Sequence, residues 1–139
     1  PSQSTAHVMN VRMLERIEHD RQRDSPLLQF ESLDPEFGIG EHFQVRYPAI
    51  EAKSKGAKWS TTEYLIKRDG NREVEYMFEC SPYAPSPACG VKFNLSARPE
   101  LVVDIRFGRD LMPNWQDIVQ SVDAKIESWG PTRIETAKR

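Results

Sequence analysis

Alternation of apolar and polar residues is the feature that most constrains what this chain can fold into. Between residues 41 and 107 the sequence contains several short stretches in which every second side chain is apolar, as in Val74, Tyr76 and Phe78. Successive side chains of a β-strand point to opposite faces of a sheet, so this period of two indicates strands with one buried face. Short turns join the stretches, and only antiparallel strands can be joined by so few residues. The pattern predicts about five or six antiparallel strands.

Turn residues mark where these strands begin and end. The clearest hairpin turn is Arg68-Asp69-Gly70-Asn71, because Asp-Gly accommodates a positive φ at little steric cost. A second turn is expected at 97–100. One strand, closed by Pro48, is expected to be half-buried, with a polar face formed by His42, Gln44 and Arg46. The expected strands cover residues 27–33, 42–47, 58–67, 72–80, 91–96 and 101–107.

Two segments with apolar residues at helical spacing flank the strands. Residues 7–23 predict a short amphipathic helix, although 6–11 would also fit a strand. Near the C-terminus, six apolar residues form one stripe over four turns: Trp115, Ile118, Val119, Val122, Ile126 and Trp129. Pro113 suits the first turn of this helix, and Gly130-Pro131 predicts its end. The stripe needs a sheet face to cover it, so we expect an α+β fold of two layers.

Length and composition favour one globular domain. The chain has 139 residues, of which 38% are apolar and 29% charged. We expect a disordered lead over 1–6, a single α+β domain over 7–130 and a tail over 131–139. No apolar run approaches the roughly 18 residues of a membrane span. The net charge of −2 gives no basic field for phosphate backbones, so nucleic acid is not an expected partner.

The two cysteines, Cys80 and Cys89, enclose the segment CSPYAPSPAC between two expected strands. If those strands are neighbours, the sulfurs meet, and we predict a disulfide that places the protein in an oxidising compartment. Two unrelated buried thiols are the other interpretation. A metal site is not expected, because two cysteines and three scattered histidines (His7, His19 and His42) do not form a recognisable ligand set. No cofactor is expected either.

The composition of the cysteine loop is typical of a binding loop. A bridge and three prolines would stiffen it, which lowers the cost of ordering it on binding. Its serines and tyrosine supply adaptable hydrogen bonds and a rigid aromatic surface. The candidate binding residues are Glu79, Ser81, Pro82, Tyr83, Pro85 and Ser86. The competing interpretation is that the prolines only suppress flexibility and edge pairing.

Catalytic chemistry has one weak candidate. Glu73, Glu75 and Glu79 alternate along one expected strand, and neighbours in such a row could act as an acid and a base. A solvated strand face is the simpler explanation. No serine stands in a Gly-x-Ser-x-Gly nucleophile elbow. We therefore expect a non-catalytic protein, with a small extracytoplasmic hydrolase using the carboxylate row as the alternative.

Two longer segments, FECSPYAPSPACGVKFNL and RFGRDLMPNWQDIVQSVDAKIESW, resemble the small periplasmic immunity proteins encoded beside bacterial type VI secretion effectors. The chain is most similar to those that neutralise a muramidase effector, which cleaves peptidoglycan. The resemblance implies a periplasmic, non-catalytic protein whose loops enter and occlude the active-site groove of its cognate secreted effector, a peptidoglycan hydrolase.

The resemblance and the sequence also bear on attachment and assembly. Many proteins of this kind are lipoproteins anchored through a cysteine at the mature N-terminus, and the printed sequence has Pro1 in that place. A first residue other than methionine predicts that an upstream segment was removed, either by a signal peptidase or in the preparation of the chain, and the sequence does not separate the two causes. Exposed strand edges would also permit a homodimer.

Overall fold

A computed structural model describes residues 5–23, 28–48, 59–83 and 86–138. For Thr5, Trp59 and residues 129–138 it describes the backbone and not the side chains. The chain runs from helix α1 through six strands to a 3₁₀ helix and a C-terminal helix α2. Their bounds are α1 Thr5–Gln22, β1 Gln29–Ser32, β2 Glu41–Pro48, β3 Trp59–Arg68, β4 Val74–Ser81, β5 Ala88–Asn94, β6 Val102–Gly108, the 3₁₀ helix Arg109–Asn114 and α2 Trp115–Lys138.

The strands form one six-stranded sheet in the order β1-β2-β3-β4-β5-β6. Each strand pairs antiparallel with the next strand along the chain, so the sheet is an up-and-down meander. The period-two alternation therefore predicted both the number of strands and their antiparallel pairing. The α+β class expected from the sequence is confirmed.

The hairpin between β3 and β4 forms where expected, but its turn differs from the predicted one. The residue with positive φ is Arg72, at 65°, whereas Gly70 does not adopt that conformation. The Asp69 carboxylate accepts hydrogen bonds from the N–H groups of Asn71 and Glu73 at 2.8 and 3.1 Å. These bonds hold a turn that extends to Arg72, one residue beyond the predicted turn. A type I turn followed by a left-handed residue is the usual three-residue hairpin loop. The extra hydrogen bonds outweigh the freedom of the glycine.

The helices lie on opposite faces of the sheet. In β4, Phe78 packs with Trp115 and Val119 of α2, while its neighbour Met77 packs in the cluster that contains Ile17 of α1. Adjacent residues of a strand point to opposite faces. The fold therefore has three layers, and the expected two-layer arrangement is wrong because α1 covers the face that the sequence pattern left exposed.

Helix α1 begins at Thr5, two residues before the expected start. Ala6 is buried, and its N–H donates to Oδ1 of Asn94 in β5 at 3.1 Å. This bond satisfies one of the free donors of the first helical turn and ties the helix to the sheet. Residues 1–4 of the expected lead lie outside the described residues.

Helix α2 packs the first part of its apolar stripe on the sheet. Trp115 and Val119 are buried, Val122 is partly buried, and the indole N–H of Trp115 donates to the Phe37 carbonyl at 2.9 Å. The helix continues to Lys138, past the Gly130-Pro131 step where the sequence predicted its end. Proline removes one backbone donor and disturbs one turn, so it can interrupt a helix without ending it. The side chain of Trp129 lies outside the described residues.

The predicted disulfide between Cys80 and Cys89 is present. The two residues are directly paired across β4 and β5, with a Cα–Cα distance of 4.0 Å, and each is 1% exposed. They belong to the core cluster on the α2 face, together with Phe78 and Val91. The bridge is thus part of the hydrophobic core as well as the end of a loop.

Replacing both cysteines by alanine measures what the bridge contributes. A disulfide across nine residues of sequence should stabilise the fold by roughly 2 to 3 kcal/mol on the chain-entropy estimate. We expect C80A/C89A to lose that much free energy of unfolding in urea. C80S/C89S should lose more, because it places two hydroxyls in the apolar core. Unchanged urea midpoints in both variants would show that the bridge does not stabilise the domain.

Candidate functional site

The cysteine loop connects β4 and β5. Ser81 and Ala88 form the last strand pair, one step beyond the disulfide. The Arg109 N–H donates to the Pro87 carbonyl at 3.0 Å, so the chain following β6 supports the returning arm of the loop. Six residues, 82–87, remain between these anchors. The loop is therefore fixed at its base by strand pairing, a covalent bridge and a contact from a third segment.

The loop exposes an aromatic side chain at its tip. Tyr83 is 76% exposed, the highest value among the exposed large hydrophobic residues of the described chain. Ser86 is exposed and Pro82 is half-buried. Pro85, another predicted binding residue, lies outside the described residues.

Glu79 and Ser81 occupy a different position from the tip. They alternate with Cys80 and therefore lie on the α1 face, where they line a 150 Å³ cavity with Met9 and Met13 of the helix. Burial, assisted by the charge of Glu79, raises the pKa of Tyr64 on the neighbouring strand to about 12. The five predicted binding residues that the structure describes thus do not form one surface. Two lie in a groove beside α1, and the described tip residues lie at the end of the hairpin.

A buried ionic cluster that the sequence analysis did not identify lies on the α2 face of the sheet. Its centre is Glu63 of β3, which is 4% exposed and is directly paired with Cys80 in the sheet. Arg109 donates to both carboxylate oxygens, from Nε at 2.6 Å and from Nη2 at 2.7 Å. Such bidentate geometry is the strongest form of a carboxylate–guanidinium pair. Arg109 follows β6, so this pair connects the centre of the sheet with its far edge.

His42 of β2 completes the cluster. Its Nε2 lies 2.6 Å from Oε2 of Glu63, and its Nδ1 lies 2.7 Å from the Asp34 carbonyl. A carbonyl oxygen only accepts, so Nδ1 donates to Asp34. The proton between Nε2 and Glu63 then makes either an imidazolium with a carboxylate or an imidazole with a carboxylic acid. Both states hold the ring in one orientation.

Charge balance decides the protonation of Glu63. Burial would raise the pKa of this carboxyl, but the hydrogen bonds from Arg109 and His42 and their charges together lower it below its ordinary value of 4.5. The hydrogen bond to Glu63 in turn raises the pKa of Arg109, against an opposing effect of burial, and the negative charges of Glu63 and Glu36 add to the rise. The cluster therefore centres on a Glu63 carboxylate that accepts two hydrogen bonds from Arg109 and shares a third with His42.

A tight turn lies next to Arg109 and is held by two side chains. Residues 36–39 form a turn in which Phe37 and Gly38 both have positive φ, at 60° and 77°. A positive φ is uncommon for a bulky residue such as phenylalanine. The guanidinium of Arg109 lies 5.8 Å from the centre of the Phe37 ring, and Trp115 bonds the Phe37 carbonyl. These contacts offset the backbone cost and attach the turn to the loop base.

Sequence reasoning missed this cluster because its members come from three distant segments. His42 was placed on the polar face of a half-buried strand, yet it is buried, since the α2 face of β2 is covered as well. A charge inside the apolar stretch TTEYLI was the available signal for Glu63. Nothing local identified Arg109 as its partner.

The three carboxylates of the predicted row have separate surroundings. Glu75 and Glu79 share a strand face but lie four residues apart, roughly 13 Å along a strand. Met77, 5% exposed, lies between them beneath α1. Glu75 pairs with Lys67 at 3.6 Å and Glu73 with His7 at 3.7 Å. The predicted alternative would need these carboxylates within reach of one substrate atom.

The pH dependence of unfolding tests the ionic cluster. Because the pKa of Glu63 is lowered on folding, its contribution is fully present above its ordinary value of 4.5 and is lost as the pH falls through the folded-state pKa. E63Q should lose about 3 to 5 kcal/mol at neutral pH, since it leaves Arg109 without its buried counter-ion. The difference from the unsubstituted protein should shrink in acid.

The matched control is E41Q. Glu41 pairs with Arg68 at the surface, where 44% of its side chain is exposed, so E41Q should change the free energy of unfolding by less than about 1 kcal/mol. Urea unfolding across an acid-to-neutral series gives both curves. Parallel curves for E63Q and the unsubstituted protein would contradict the assigned charge state.

Within the described residues, no group of three or more His, Cys, Asp or Glu side chains is arranged to hold a metal ion. No described helix is both long and apolar enough to cross a membrane. The chain matches no protein-family model, no curated protein and no solved structure.

Proposed function

We propose that this chain is a non-catalytic immunity protein that occludes the active-site groove of a secreted cell-wall-degrading effector in the periplasm. The observation that carries the proposal is the exposed Tyr83, which lies three residues beyond the Cys80–Cys89 bridge that clamps the base of the cysteine loop. The effector is a protein partner, and the loop is the part of the chain that enters its groove.

The construction of the loop base supports a binding role. A loop that orders only on binding loses affinity to the entropy of ordering. Here the bridge, the Ser81–Ala88 pair and the Arg109–Pro87 hydrogen bond hold both arms before any partner arrives. A simple connector between two neighbouring strands needs two to five residues and none of these supports.

The chemistry of the loop fits a groove made for sugar. Residues 81–88 contain no charged side chain, so inserting them into a groove desolvates no ion. Glycoside hydrolases place two carboxylic groups in such a groove, and the hydroxyls of Ser86 and Tyr83 can bond to them as sugar hydroxyls would. Tyr83 also brings a flat apolar surface of the kind enriched at binding hot spots.

The disulfide supports the compartment. Structural disulfides form and persist in secreted and periplasmic proteins and are rare in the cytosol. This one is 1% exposed and packed in the core, so it serves the structure of the domain. A periplasmic protein with such a bridge meets cell-wall hydrolases where they act.

Inhibition of peptidoglycan cleavage tests the proposal. The probes are secreted peptidoglycan hydrolases of the organism that encodes this chain, each assayed by release of soluble fragments from labelled sacculi. We expect this chain to suppress release at equimolar concentration. Tyr83→Ala should raise the dissociation constant about 30-fold or more, the effect of a lost aromatic hot spot, and Tyr83→Phe should raise it less.

The control is Gln120→Ala, an exposed change on α2 that should leave inhibition unaltered. Two results would contradict the proposal. One is inhibition that is equally strong in all three variants. The other is fragment release by this chain alone that Glu75→Gln abolishes, which would establish the carboxylate-row hydrolase instead.

A further inference from the structure

The outer edge of β6 is unpaired in the described sheet. The strand order places β6 last, with β5 as its single neighbour. It is seven residues long and contains no proline, whereas β1 at the opposite edge has four residues. Natural sheets usually protect such edges by shortening them or by other devices. The β6 edge is therefore the more open template for a further strand.

The hydrogen bonds at both ends of β6 show which backbone groups face this edge. Leu95 N–H donates to the Leu101 carbonyl, and Arg109 N–H donates to the Pro87 carbonyl. Both pairs continue the β5–β6 register in which Val91 lies opposite Ile105. Along an antiparallel ladder, residue pairs that exchange backbone hydrogen bonds alternate with pairs that do not. The odd-numbered residues of β6 thus bond to β5. Val102, Asp104 and Arg106 direct their N–H and C=O groups outward.

The charges on this strand are symmetric about Ile105. If a second copy of β6 pairs antiparallel with the first, with Ile105 opposite Ile105, then Asp104 of each copy lies opposite Arg106 of the other. The interface then contains two Asp104–Arg106 pairs of opposite charge. The two residues of each pair also exchange backbone hydrogen bonds. Within its own sheet Arg106 is paired with Gly90, which offers it no side chain.

The apolar face of the strand is symmetric in the same way. Val103, Ile105 and Phe107 are partly buried on the α2 face. In the same register Val103 of one copy lies opposite Phe107 of the other, and the two Ile105 side chains meet. These are the closely spaced, non-hydrogen-bonded pairs of the ladder, where β-branched and aromatic side chains stabilise each other.

We propose that the β6 edge is a self-association surface through which two copies of this chain form a dimer with a two-fold axis at Ile105. The two six-stranded sheets then join into one continuous sheet. Each cysteine loop lies at the Gly108 end of its β6, so antiparallel pairing puts the two loops at opposite ends of the interface. Both loops remain free, and the dimer does not depend on the proposed function.

Charge exchange at two positions tests this interface. D104R gives Arg–Arg pairs and R106D gives Asp–Asp pairs, so each variant should dimerise at least about tenfold more weakly. The double variant D104R/R106D restores opposite pairs and should dimerise as the unsubstituted chain does. An equimolar mixture of D104R and R106D should form a heterodimer. Sedimentation equilibrium over a concentration series distinguishes a monomer of 16.0 kDa from twice that mass.

The matched controls are E15R and R16D, which make the same changes of net charge at exposed positions of α1. Both should dimerise normally. A chain that stays monomeric at every concentration would overturn the proposal. So would a dimer that the two single variants weaken no more than the controls do, or a failure of D104R and R106D to pair on mixing.

Hydrogen exchange tests the register. The amides of Asp104 and Arg106 face the free edge, so their protection should rise with protein concentration. The amides of Val103 and Ile105 already bond to β5 and should be protected at all concentrations. Concentration-dependent protection confined to β1 would place the interface at the opposite edge and would overturn the proposal.

Discussion

The burial of Glu63 is the interaction on which the rest of this structure depends. A carboxylate inside a sheet is costly unless cations and hydrogen bonds replace its water. Here the replacements come from both sides, with His42 on β2 and Arg109 beyond β6. The ion pair with Glu63 therefore holds Arg109, in the segment that follows β6, over the middle of the sheet. The main chain of Arg109 then reaches Pro87 and supports the cysteine loop.

The disulfide acts beside this cluster. Glu63, Cys80 and Cys89 are consecutive in one row across the sheet, so a covalent bond and an ionic cluster support the same end of the hairpin. Neither depends on the residues of the loop itself. The loop can therefore expose serine, proline and tyrosine to a partner while its base stays in place. The proposed binding role requires such a fixed base beneath the loop.

Much of the fold could be predicted from the sequence, because period-two alternation and short turns determine an antiparallel meander. The arrangement of the layers could not be predicted in this way. When one of the covering helices is as polar as α1, a sheet covered on both faces shows the same alternation as a sheet with one face exposed to solvent. The disulfide followed from strand adjacency. The Glu63 cluster did not, because it joins positions 42, 63 and 109, and single-sequence patterns report only local spacing. The turn at Arg72 likewise depended on side-chain hydrogen bonds that composition does not show.

Amide nitrogen-15 relaxation of the loop tests most directly whether the clamped base makes a stiff loop. Pro82, Pro85 and Pro87 have no amide hydrogen, and of the three remaining residues of 82–87 we choose Tyr83 and Ser86 as the reporters. A preorganised loop predicts order parameters at both amides near about 0.85, the value of rigid backbone. Values below about 0.6 at these two positions, with rigid values at Cys80 and Cys89, would contradict it, because the base would then be fixed and the recognition loop would not.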